Sequence, residues 1–176
     1  MNLDGEVAIV IGAAGGVGRE VARTLAREGA RLALADCFPT PIEQLAADLD
    51  GYGAAVDASD SAAVAKFAHE VKEKLGTATI LVNCLGVWHM MSYGDITDQD
   101  WRRIIDQNLF AVFLTARAFV PGMQHLGRGA VVNFASTAGE SGSIRPAAHY
   151  AAAKGGVIAF SKSLAREVAA DRVRVN

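Results

Sequence analysis

Cysteine is scarce in this chain and is not placed to organise a fold. Cys37 and Cys84 lie far apart, without metal-ligand spacing, so reduced thiols in a cytoplasmic protein are expected and no metal site is. Charge of one sign is lacking as well. A formal net charge of -2 leaves no basic surface for nucleic acid and no polybasic patch for a membrane, so neither partner is expected. Long apolar runs are missing, and none is expected to reach bilayer-spanning length. The polar stretch from Met1 to Glu6 runs straight into an apolar segment, unlike a signal peptide. No internal repeat, linker or low-complexity tract divides the chain, so its 176 residues are read as one domain, 1–176, long enough to bury a core.

Short apolar runs alternate with helical patterns. Val7 to Ile11 is continuously apolar, and a helical pattern follows from Val17 to Glu28. Arg31 to Ala35 is apolar again and ends at Asp36. Pro41 suits the first turn of a short helix through Asp48. Ala54 to Val56 reads as a third strand ending at Asp57. Ser59 or Asp60 then caps a helix to about Leu75, closed by Gly76. Thr79 to Val82 is the fourth strand. From Asp98 to about His125, apolar residues including Trp101, Ile104, Ile105, Leu109, Val112 and Phe119 recur at helical spacing and predict one long helix. Ala130 to Phe134 is a fifth strand, Ala148 to about Ala170 a second long helix, and Val173 to Val175 a sixth strand. Alternating strands and helices, with strands apolar on both sides, predict an α/β fold: a Rossmann-type doubly wound parallel sheet covered on both faces. Ending at Val173-Arg174-Val175-Asn176 would leave an apolar edge unpaired, so the sheet is expected to lack its C-terminal strand or strands.

Glycines after the first strand give the first chemical signal. Gly12, Gly16 and Gly18 form G-x-x-x-G-x-G, with Val17 inside the motif. Such a turn lets backbone N–H groups approach a pyrophosphate at a helix N-terminus. Asp36 is placed to accept from both adenosine ribose hydroxyls and to repel a 2′-phosphate. No basic residue stands at positions 14, 15, 37 or 38, so NAD(H) is expected over NADP(H).

Tyr150 and Lys154, four apart near the start of a long helix, share a face. A free phenol is a poor base at neutral pH, and a nearby ammonium and a cationic nicotinamide both favour the phenolate. Ser136 follows the fifth strand at the carboxyl edge, where open α/β sheets bind ligands. Asn108 lies on the apolar face of the preceding helix, a buried amide in need of partners.

In this order, Gly12-x-x-x-Gly16-x-Gly18, Asn108, Ser136 and Tyr150-x-x-x-Lys154 resemble the classical short-chain dehydrogenase/reductase family along the whole chain. The resemblance implies that Asp57 contacts adenine and that Asn83-Cys84-Leu85-Gly86 replaces the family's usual Asn-Asn-Ala-Gly, so that Asn83 and Gly86 join the cofactor site. It implies Tyr150 as general acid/base and Lys154 as ligand of the nicotinamide ribose and depressor of the tyrosine pKa. Ser136 would then polarise the substrate oxygen, and Asn108 would hold a water joining Lys154 to solvent. Ile11 departs from the usual Thr, and the family's Pro-Gly segment, substrate-covering segment and seventh strand have no counterpart in residues 1–176.

The function so implied is NAD-dependent interconversion of a secondary alcohol and a ketone. Two alternatives stand beside it. One is a 3-oxoacyl thioester reductase, whose usual NADPH preference conflicts with Asp36; the other is a cofactor-binding domain without turnover. A homodimer or homotetramer through helices near Asp100–His125 and Ala148–Ala170 is the expected assembly. His149, beside Tyr150 but facing elsewhere on the helix, is given no catalytic role.

Overall fold

A computed structural model describes residues 2–176. Six strands form one sheet: β1 (Val7–Ile11), β2 (Arg31–Asp36), β3 (Tyr52–Ala55), β4 (Ile80–Asn83), β5 (Gly129–Asn133) and β6 (Val173–Val175). Their spatial order is β3-β2-β1-β4-β5-β6, and every neighbouring pair is parallel. Parallel strands need crossovers, and the helices that supply them cover both faces, which is why the strands are apolar throughout.

Alternation along β1 divides the core. Val7, Ile9 and Ile11 face a cluster containing Phe67, Leu114 and Phe119, from α3 (Ser61–Leu75) and α5 (Ala111–Leu126). Ala8 and Val10 face the other side, against Ala22 of α1 (Gly16–Arg27) and Ile42 and Leu45 of α2 (Pro39–Asp48). Successive strand side chains point to opposite faces, so this short run anchors both layers. Asp60, not Ser59, caps α3: its carboxylate accepts from the Ala62 and Ala63 N–H groups at 2.8 and 3.3 Å. Gly76 closes that helix with φ of +89°.

Strand and helix ends mostly shift by a residue or two from the sequence reading, and a few elements differ more. Helix α2 starts at Pro39, two residues before Pro41, and β3 starts at Tyr52. The long helix expected from Asp98 is three pieces: α4 (Asp98–Ile105), a π-helical turn at Asp106–Phe110, and α5. Between β5 and α7 (Ala148–Val168), where the sequence reading placed no element, lies a short helix α6 (Thr137–Ser141). One helical stretch nonetheless meets a bare test of length and composition. The continuous helical stretch Asp98–Leu126 is long enough to cross a bilayer, and its most apolar 18-residue window, at mean hydropathy 1.2, is apolar enough by composition. Its buried residues, Leu114, Phe119 and Met123 among them, pack in the core beside the sheet, and a core helix passes the same test.

Candidate active site

The strand order reverses between β1 and β4, and crossovers leave this edge on opposite faces, opening a cleft at the strands' carboxyl ends. A cavity of about 310 Å³ lies there, with Gly12, Asp36, Asp57 and Gly86 in its wall. Close approach requires the glycines. Gly12 has φ of +77°, and a Cβ on it would lie 2.8 Å from the Cys84 carbonyl oxygen; one on Gly18 would lie 2.1 Å from the Gly12 oxygen. Among the described residues no side chain caps α1 at Gly15, so the N–H groups of Gly16, Val17 and Gly18 begin the helix without a side-chain partner. An uncapped helix start beside a cavity fits a dinucleotide's pyrophosphate.

Carboxylates mark one end of the cleft. Asp36 Oδ2 accepts from Ala14 N–H at 2.9 Å, and its Oδ1 accepts from Phe38 N–H at 3.3 Å. Asp36 thereby ties the glycine loop to β2 while keeping acceptor capacity for a ribose diol. Arg19 braces the same loop, its Nε donating to the Ala14 oxygen at 2.8 Å, a contact the glycine motif did not foretell. Asp57 Oδ1 accepts from both the backbone and hydroxyl of Ser59, at 2.9 and 2.6 Å.

At the other end Lys154 is 1 % exposed. Its ammonium donates to the Leu85 oxygen at 2.6 Å and the Phe134 oxygen at 2.7 Å, the carbonyls that follow β4 and β5. Burial pushes its pKa down from 10.5 to about 8. Cys84, just before this segment, is pushed up to about 11 by burial, with Lys154 opposing the rise, so its thiol stays protonated at neutral pH. Lys154 Nζ lies 5.9 Å from the Tyr150 ring centroid. The Tyr150 hydroxyl makes no hydrogen bond among the described residues and is free for a ligand. Ser136 caps α6, its Oγ accepting from Ala138 N–H at 3.2 Å, which leaves the hydroxyl hydrogen available to donate.

The sequence matches the short chain dehydrogenase family over residues 6–176. The chain belongs to this family. It is 40% identical over 180 residues to D-threitol dehydrogenase of Mycolicibacterium smegmatis, covering 99% of this chain and 69% of that protein. It is 34% identical over 178 residues to 3-oxoacyl-(acyl-carrier-protein) reductase FabG of Escherichia coli, covering 100% and 72%. The crystal structure of gox2181 superposes with a TM-score of 0.96 at 31% identity, covering 99% of this chain and 71% of that one. Short-chain dehydrogenases are oxidoreductases that bind a nicotinamide cofactor, NAD or NADP.

Within this short-chain dehydrogenase, two expected site residues have partners in the fold that the sequence reading did not foresee. Asn108 is fully buried in the π-turn, where both amide hydrogens are spent: Nδ2 donates to the Val87 and Ile104 oxygens, each at 2.9 Å, and Oδ1 accepts from Val87 N–H at 3.1 Å. Its side chain therefore clamps Val87, just after Gly86, and has no amide donor left for a water. Asn83 is also fully buried, with its carboxamide turned away from the cleft. Nδ2 donates to Asn133 Oδ1 and Oδ1 accepts from Thr115 Oγ1, both at 2.9 Å. Asn133 passes the chain on to Ser161 of α7 at 2.9 Å. Asn83 is thus a strut joining β4, β5, α5 and, through Asn133, α7. Sequence reasoning did not find Thr115, Asn133 or Ser161; polar residues inside an apolar strand or helix face are the signal that marks them.

Proposed function

We propose that the chain is an NAD(H)-dependent oxidoreductase that interconverts a secondary alcohol and a ketone, with Tyr150, Lys154, Ser136 and Asn108 serving the proton. The observation that carries this reading is the buried Lys154 ammonium beside Tyr150, pinned by two carbonyls, one of them from Leu85 in the wall of the glycine-lined cleft. A bound nicotinamide supplies the hydride for carbonyl reduction or accepts it in alcohol oxidation.

The chain's own residues handle orientation and the proton. Tyr150 gives its hydroxyl proton to the carbonyl oxygen, or takes one from the alcohol. Lys154 has three N–H donors and spends two on Leu85 and Phe134, so the third is left for the ribose and to favour a phenolate nearby. Ser136 donates its hydroxyl hydrogen to the substrate oxygen. A relay water at Asn108 is held by donating to an oxygen there, since the amide hydrogens are committed. Gly12, Gly16, Val17 and Gly18 serve the pyrophosphate, Asp36 the adenosine ribose and Asp57 the base; Gly86 lies against the cofactor near Lys154.

Asp36 supports NAD over NADP, because a carboxylate repels a 2′-phosphate. The threitol dehydrogenase relative supports a small polyol or its ketone as substrate, and the FabG relative supports a 3-oxoacyl thioester as the second reading. A cytoplasmic enzyme, associated as a homodimer or homotetramer through α4–α5 and α7, belongs to the same proposal. Phe110 and Phe113, 40 % and 37 % exposed, offer an apolar surface on that side. A nicotinamide absorbance screen of alcohols, ketones and 3-oxoacyl thioesters, run beside Tyr150→Phe, tests the function. Turnover by the wild-type chain and not by the variant, with NADH binding kept by both, is expected. Binding without turnover in either would favour a binding-only domain.

A further inference from the structure

Gln107 is a residue that the proton chemistry does not use and the fold does not satisfy. It sits in the π-turn one position before Asn108, and its Oε1 is buried without a hydrogen-bond partner. Its carboxamide nitrogen makes no hydrogen bond among the described residues either. Leaving a buried amide oxygen unpaired is costly, so its retention calls for a partner that arrives from outside the chain. Gln107 forms part of the cleft wall, together with Asp57. The same wall carries the apolar side chains of Val56, Leu85, Val87 and Ala111. Asp57 has committed Oδ1 to Ser59 and retains Oδ2. Apolar walls edged by a free carboxylate oxygen and an unpaired carboxamide suit a flat heteroaromatic ring whose polar edge carries an exocyclic amine.

Resting on the cofactor reading above, we infer that Gln107 turns its carboxamide to the adenine edge of the dinucleotide, accepting from the exocyclic amine and setting the preference for that base. The π-turn is what makes this possible. Its extra residue advances Gln107 along the helix, so that Gln107 reaches the cleft while Asn108 clamps Val87.

The test is equilibrium binding, without substrate, of NADH and of its hypoxanthine analogue, in which a carbonyl oxygen replaces the amine. The wild-type chain, Gln107→Leu and Gln107→Glu are compared. Losing one neutral hydrogen bond is expected to weaken NADH about 5- to 10-fold in Gln107→Leu and to narrow the preference over hypoxanthine. Gln107→Glu keeps an acceptor and loses the donor, so its preference for adenine widens. Because the amide is orphaned in the free chain, Gln107→Leu leaves the cofactor-free thermal midpoint unchanged or raises it. Unchanged NADH affinity in Gln107→Leu would overturn this inference alone. If that variant does not fold, an unchanged adenine-to-hypoxanthine ratio in Gln107→Glu overturns it. Failure of the wild-type chain to bind either dinucleotide overturns the cofactor reading and the inference with it.

Discussion

Lys154 Nζ stands 5.9 Å from the centroid of the Tyr150 ring, one helical turn back along α7, and is anchored to the Leu85 and Phe134 carbonyls that follow β4 and β5. A buried cation in this position has a pH signature. Its pKa is about 8 in the folded chain against 10.5 when exposed, so between these values the unfolded chain holds the extra proton. The burial penalty is therefore complete below pH 8 and is relieved as pH rises toward 10.5. Compared with Lys154→Met, wild-type unfolding free energy should rise by about 3 kcal/mol across that window. Urea unfolding of both proteins at several pH values checks this, and parallel profiles would place the titration elsewhere. Turnover should move the other way, falling above pH 8 as the ammonium is lost.

Asp36 gives a prediction about cofactor choice. It braces Ala14 and faces the cleft, so Asp36→Ala removes a charged acceptor from the ribose and a repulsion from a 2′-phosphate. NADH affinity should fall about 10-fold, as expected for loss of a charge-assisted hydrogen bond, while NADPH affinity should rise or hold. Titration of intrinsic fluorescence with each dinucleotide measures the ratio. Tighter NADPH than NADH binding by the wild-type chain would contradict the NAD assignment outright.

Legibility in the sequence followed the range of each interaction. The alternation of strands and helices rests on local period, and the run Val7–Ile11 was readable because every residue is buried. The glycine loop, Asp36, and Tyr150 with Lys154 are close in sequence or sit at strand ends, and the structure brings them to one sheet edge. The π-turn was hidden because one inserted residue hardly disturbs a 3.6-residue apolar period across Asn108. Helix α6, at five residues, is shorter than any window that reveals a period. The strut through Asn83 was invisible because its contacts span 32, 50 and 28 positions. Such a link needs the fold before it can be seen.

That strut has a stability cost when cut. Thr115 is fully buried and donates to Asn83 Oδ1, which is itself fully buried. Thr115→Val keeps the shape but leaves that oxygen unpaired, at an expected cost of about 1–3 kcal/mol. Because Thr115 lies away from the cleft wall, NADH affinity should be unaltered. Chemical denaturation gives the stability change and titration the affinity; a loss of affinity without a loss of stability would refute the assignment of Asn83 as a strut.

Gly139 sets the spacing between Ser136 and Lys154. It lies in α6, whose first turn Ser136 caps, and α6 packs against α7 beside the lysine. A Cβ on Gly139 would stand 2.5 Å from the Lys154 carbonyl carbon and 2.6 Å from Gly155 N, so main chain meets main chain and no side chain can give way. Gly139→Ala must push α6 off α7, at about 1–3 kcal/mol of overpacking strain. Displacement of the serine by even 1 Å should lower kcat on the order of 100-fold, with NADH affinity largely kept because the glycine loop lies elsewhere. Gly155→Ala is the control across the same seam. Its Cβ would lie 3.1 Å from the Gly139 oxygen, a clash of a few tenths of an ångström that a small shift relieves. Activity should therefore fall much further in Gly139→Ala than in Gly155→Ala. Steady-state kinetics on both variants decides the point, and equal losses would mean that the seam does not set the serine's position.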